Sequence, residues 1–175
     1  MRSRPGCEGA NLIQSQGRGP HDRSRRAWLW SFRIVPMGFG TKIAIVVRED
    51  LATWQKLNVA CFLSGGLVGF YPELGGECYV DASGPSGQTY GPLVRQPILV
   101  FSASAADLTR TLRRATDRGL KPSIYTRSLF GTNNDIDNRA AVLVVPTDAL
   151  DLVGVGLHGD RKEVDKVIKG LALHP

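Results

Sequence analysis

The sequence predicts an α/β fold, a mixed four-stranded sheet with helices on both faces. Three observations carry this expectation. Residues 42–47 and 152–157 are short runs rich in β-branched side chains, the pattern of buried strands. Longer stretches between such runs space their apolar residues as helices do and are bounded by capping residues and glycine stops. From residue 41 onward strand and helix signals alternate, the order that covers a sheet with helices.

The elements follow in order. The first strand, 42–47, ends at Arg48-Glu49-Asp50, and Asp50 is placed to cap a helix over about 51–70. In that helix Leu51, Trp54, Leu57, Cys61, Leu67 and Val68 mark one apolar side, and Val59, Phe62 and Leu63 widen it, so the helix is expected to be largely buried. Residues 72–92 are rich in proline and glycine, and 78–80 with 88–90 suit a short hairpin. Residues 97–101 form the next strand. Ser102 or Ser104 caps a helix through Leu108, Leu112 and Ala115 that stops at Gly119. A strand at 123–126 and a helix opened by Asn134 or Asp135, with Pro146 beyond its end, come next. The strand 152–157 contains Gly156, which suggests a close backbone approach. Asp160 and Glu163 then open a last helix that runs to Ile168 and stops at Gly170.

Residues 1–36 show neither period. They hold seven arginines against Glu8 and Asp22, a net +5 of the chain's +6, so residues 37–175 carry only +1. Bulk charge therefore gives no argument for non-specific nucleic-acid binding by the domain. Translation is expected to begin at Met37, and the alternative reading of residues 1–36 is a disordered basic tail before the domain. The segment has neither the apolar run nor the cleavage site of a secretory signal. No run approaches the roughly 20 apolar residues of a membrane span, so no membrane partner and a cytoplasmic location are expected. Cys7, Cys61 and Cys78 are odd in number and lack metal-ligand spacing. Reduced, buried thiols are the expectation, with no metal and no cofactor.

Three blocks carry a family resemblance. Residues 42–51 (KIAIVVREDL) are similar to the first strand of the type II peptidyl-tRNA hydrolases, and residues 56–61 (KLNVAC) to the start of their first helix. Residues 154–171 look like their closing strand and helix. The match is closer still to a bacterial group of unknown function within that superfamily, on Asn58-Val59-Ala60, Asn138 to Ala141 and Arg161 to Val164. The resemblance implies the four-stranded fold of those enzymes, a hydrolase ancestry, a small-molecule or tRNA-like ligand and a possible homodimer. It matches the family's lysine to Lys56 and its threonine to Thr132. The family's glutamine, histidine and aspartate fall on Ala60, Leu63 and Ser128, so the carboxylate, amide and imidazole are missing.

Five residues emerge as candidates. Lys56 and Thr132 are the matched catalytic positions. Lys56 can hold an anion or oxyanion, or lie along the surface as an ordinary lysine. Asn58 is an amide on an otherwise apolar helix and can orient a ligand or make a structural hydrogen bond. Ser128 and Thr132, joined by a helical turn, would share a face and present two hydroxyls, although hydroxyls do not replace a carboxylate base. Arg161 stands at a helix start, where a cation is unfavourable unless an anion binds or Asp160 and Glu163 offset it. The functional expectation is a hydrolase-like domain with an incomplete catalytic set that binds a small or nucleotide-like ligand. The alternatives are an authentic hydrolase of peptidyl-tRNA or a related ester, and an interaction module.

Overall fold

A computed structural model describes residues 38–81 and 87–175, and the predicted tail at 1–36 lies outside the described residues. Contacts along the chain divide these residues into two units, of which 39–77 with 92–175 holds the sheet. The smaller holds a hairpin of β2 (Tyr79–Val80) and β3 (Thr89–Tyr90), pairing Tyr79 with Tyr90 as the turn-rich sequence predicts. Cys78 is disulfide-bonded, against the expectation of reduced thiols.

The sheet unit contains β1 (Thr41–Arg48), β4 (Ile98–Ala103), β5 (Ser123–Thr126), β6 (Leu152–Asp160) and β7 (Ala172–Leu173). Their order is β5-β6-β1-β4-β7. Only the β1–β4 pair is parallel; β6 runs antiparallel to both β1 and β5, and β7 antiparallel to β4. The sheet is thus mixed, as predicted, but has five strands rather than four. The fifth escapes the sequence because two residues are too few to display a period of two. It is held by pairing of Phe101 with Leu173 and by the His174 amide donating to the Val100 carbonyl at 2.9 Å.

Alternation along β1 explains why helices cover both faces. Ile45 and Val47 pack with Val59, Leu63, Tyr125 and Val153 under α1 (Thr53–Phe70). Ala44 and Val46 face the opposite way, onto Leu108, Leu112, Val164 and Val167 of α2 (Ala105–Asp117) and α4 (Arg161–Val167). A strand buried on both sides reads as a continuous apolar run, which is what residues 43–47 are.

The predicted caps settle on Ser104, Asn134 and Asp160, whose side-chain oxygens accept from the amides of Asp107, Asp137 and both Lys162 and Glu163. Gly119 and Gly170, the predicted stops, take left-handed φ values of +70° and +93°, where a β-carbon would be strained. Asp50 does not cap α1. Its carboxylate accepts from Arg48 instead, and the Gln55 side chain accepts from the Ala52 amide at 3.1 Å. Nor is α1 largely buried. Val59, Leu63 and Leu67 lie under the sheet, while Trp54, Leu57, Phe62 and Phe70 remain more than half exposed and Cys61 is exposed. One layer against a sheet buries one stripe of a helix, and among the described residues no second layer covers the outer side of α1.

Candidate functional site

The cleft is built from two adjacent stripes of α1. Residues four apart on a helix share a side. Val59, Leu63 and Leu67 form the stripe that anchors the helix to the sheet, and Trp54, Asn58 and Phe62 form the neighbouring one, at the rim. Anchoring is tight because β6 offers no side chain below it. A β-carbon on Gly154 would stand 2.3 Å from Val59 Cγ1 and 2.9 Å from Leu63 Cδ1. One on Gly156, the predicted close approach, would meet Leu63 and Leu67 at 3.4 Å.

Facing this rim is the segment after β5, a 3-10 turn at Arg127–Gly131 followed by α3 (Asp135–Leu143). The turn is pinned at the end of β1. Arg48 binds Asp50 and Asp151, Arg127 binds Asp151 at 3.0 Å, and the Arg127 amide donates to the Asp151 carbonyl at 2.9 Å. The hydrogen bond donated by Arg48 chiefly holds the Asp50 carboxyl below its usual range, and the same bond raises the Arg48 guanidinium.

Between rim and turn lies a cleft of about 490 Å³ lined by Trp54, Asn58, Phe62, Tyr125, Leu129, Phe130, Thr132, Asn133, Asn134, Asp135 and Asn138. This is within the roughly 300–1,000 Å³ of ordinary ligand sites. The aromatic rings brace one another edge-on: Trp54 on Phe130 at 5.6 Å and Phe62 on Tyr125 at 5.8 Å between centroids. Tyr125 is only 6% exposed, and burial pushes its phenol up. Its hydroxyl donates to Asn58 Oδ1 at 3.0 Å, which fixes the amide and leaves the Asn58 NH₂ group without a partner among the described residues. The Thr132 hydroxyl has one proton to share between the Leu129 carbonyl, at 2.9 Å, and the Asn138 amide oxygen.

Of the five candidate residues, the structure brings Asn58 and Thr132 into one cleft. Lys56 is half-buried, is not among the cleft's lining residues, and its side chain makes no hydrogen bond or ion pair among the described residues. Residues two apart on a helix point to different sides, so sharing α1 does not bring Lys56 and Asn58 together. Ser128 bonds Thr126 at 2.9 Å and lines a separate hollow with Ala141, Leu150 and Asp151. The segment joining it to Thr132 is a 3-10 turn, where positions four apart do not share a face. Arg161 lies at the far end of the sheet. It donates to the Phe39 carbonyl at 3.0 Å beside the Thr41–Asp160 pair, whereas Tyr125 adjoins Gly154, the partner of Val47.

Trp54, Phe62, Tyr125, Phe130, Asn133, Asp135 and Asn138 were not foreseen as site residues. The spacing Trp54-x₃-Asn58-x₃-Phe62 was the available signal: a polar residue between two aromatics on one helical stripe. Among the described residues no group of three or more His, Cys, Asp and Glu is placed to hold a metal. No helix there is long and apolar enough to cross a membrane.

A search of curated proteins returns no match. The solved structure of a protein of unknown function from Agrobacterium tumefaciens strain C58 is similar, with 41% identity and a TM-score of 0.74, over 78% of this chain and 99% of that one. The profile of a family described as protein of unknown function (DUF2000) matches residues 41–175, from the first strand to the last residue. With a match of that extent, the chain belongs to the DUF2000 family.

Proposed function

We propose that the domain is type II peptidyl-tRNA hydrolase-like, that its catalytic set is incomplete, and that it binds a small or nucleotide-like ligand in the cleft between α1 and the turn after β5. The observation that carries the reading is the Tyr125–Asn58 hydrogen bond at the cleft wall, a fixed amide beneath the partly exposed rings of Trp54 and Phe62. Convergent polar groups under aromatic walls are the ordinary composition of a small-molecule site.

Chemistry beyond binding has little support in the lining. A hydroxyl nucleophile needs a base within hydrogen-bond reach, and the Thr132 proton is directed at the Leu129 carbonyl and the Asn138 amide oxygen instead. The one carboxylate in the lining, Asp135, is exposed and paired with Arg139. General-base catalysis typically contributes about 10²–10⁴-fold. The purified protein is therefore expected to cleave peptidyl-tRNA weakly or undetectably. Brisk turnover that Lys56→Ala abolishes would overturn this and establish the authentic hydrolase.

Binding is tested by following tryptophan fluorescence while titrating nucleosides, nucleotides and N-acyl-aminoacyl esters. Saturable binding that Asn58→Leu weakens at least about tenfold, and that Lys56→Met leaves alone, is the expected result. If no compound binds, or if Asn58→Leu changes nothing, the ligand-site reading fails and the exposed apolar side of α1 makes an interaction module the better account.

A further inference from the structure

A second furrow of about 240 Å³ adjoins the cleft, and the two share Phe62, Tyr125, Leu129, Asp135 and Asn138 as lining residues. Their linings differ in charge. No lysine or arginine lines the larger lobe, whose polar groups are amides, Thr132, the Tyr125 hydroxyl and Asp135. The smaller lobe adds Gly66, Ser123 and Arg139, and Arg139 is its one cation.

We propose that these two adjoining lobes together take a mononucleotide, its base in the larger lobe and its phosphate at Arg139. The inference rests on the ligand-binding reading above and names the class of ligand. Trp54 and Phe62 are 62% and 58% exposed at the rim, with ring surface open for a planar heterocycle to stack on. The Asn58 NH₂ group supplies donors for acceptor atoms on the base edge. Each lobe is thereby matched to one part of the ligand: aromatic faces and amides to the base, the cation to the anion.

The start of α3 is not where the anion goes, although helix N-termini often receive anions. Asp135 and Asp137 already occupy its first turn, and Asn134 caps it. Arg139 stands one turn further along and is held by Asp135 at 2.5 Å, with both side chains at least 70% exposed. A pair so exposed is weak, and a phosphate dianion competes for the guanidinium with more charge and more acceptor oxygens than the carboxylate. Asp135 thus covers the phosphate position in the empty protein and yields it on binding.

The test titrates the full chain with adenosine, guanosine and their 5′-monophosphates, reading fluorescence or heat. The monophosphates are expected to bind about tenfold tighter than the nucleosides, as one charge-assisted bidentate contact would give. Arg139→Gln should abolish that advantage. Asp135→Asn, which frees the arginine, should enlarge it. The same chemistry occurs at the end of an RNA strand, so a trinucleotide RNA is the second arm. Tighter binding than the mononucleotide assigns the base and phosphate to a strand end, and equal binding assigns them to a free nucleotide.

Equal affinities for nucleoside and monophosphate, or an advantage that survives Arg139→Gln, overturn the inference while leaving the ligand site standing. So does binding of N-acyl-aminoacyl esters when no nucleotide binds. Failure of every compound overturns both.

Discussion

Two buried polar side chains show how the surroundings of a single residue set a measurable property. Tyr125 spends its only proton on Asn58, so Tyr125→Phe keeps the ring packing on Phe62 and Phe130 and deletes one hydrogen bond. Such a deletion costs about 0.5–1.5 kcal/mol of stability. It also frees the Asn58 amide to rotate, so the variant should lose ligand affinity out of proportion to its small loss in urea midpoint. Equal affinity in wild type and Tyr125→Phe would show that the bond serves stability alone. His158 presents the opposite case. It is 7% exposed, packs edge-on against Tyr71 at 4.5 Å, and neither ring nitrogen has a partner among the described residues. Burial pushes its pKa down, opposed more weakly by Glu73. The unfolded chain therefore takes up a proton at a higher pH than the folded one. Stability is full above the ordinary histidine value of 6.5 and is lost as the pH falls from there through the depressed folded value. Urea midpoints measured between pH 8 and pH 5 should fall on the acid side, and His158→Leu should fall less. Parallel curves for the two proteins would refute this assignment.

At the scale of the element, α1 and β6 form one fitted pair. Gly154 lets Val59 sit against the strand, and a methyl group there has nowhere to go, because its nearest atoms belong to packed core side chains. Gly154→Ala is expected to cost about 1–3 kcal/mol as an overpacked core does, with Val59→Ala in the same chain recovering part of the loss. If the two changes simply add, the contact is not the cause. This fit also shows which features the sequence reveals. Both long strands, the caps at Ser104, Asn134 and Asp160 and the stops at Gly119 and Gly170 were legible, because each depends on local spacing or on one residue's backbone preference. The exposure of α1 was not. Its apolar residues surround the helix, and only the number of layers packed on it decides which of them are buried. The site was half legible for the same reason. Asn58 stands out as an amide on an apolar helix and Thr132 through the family resemblance, but Tyr125 and Phe130 reach the cleft from a strand and a turn distant in sequence from α1.

Across the whole molecule, burial is uneven. Fully buried side chains come from β1, β6 and the helices packed on them, including Ile45, Val59, Leu108, Val155 and Val164. By contrast, α3 contains no buried residue, and Ile136, Leu143 and Val144 are 72%, 85% and 79% exposed. An element with so little buried apolar surface opens at a small fraction of the global unfolding free energy. Hydrogen exchange read by mass spectrometry should therefore find the amides of α3 exchanging orders of magnitude faster than those of β1 and β6 at pH 7. Because Asn134, Asp135 and Asn138 line the cleft while Trp54 and Asn58 belong to the fixed side, a ligand that bridges the two adds contacts only the closed arrangement can make. Binding then stabilises α3 against local opening by mass action, by about 2.7 kcal/mol at a ligand concentration of one hundred times Kd. Exchange at 135–143 should slow by about a hundredfold under those conditions, with β1 and β6 slowing only if they exchange through global unfolding. A saturating ligand that leaves α3 exchange unchanged would place its binding site elsewhere. Exchange in α3 as slow as in β1 without any ligand would mean that α3 is anchored by contacts other than the ones described.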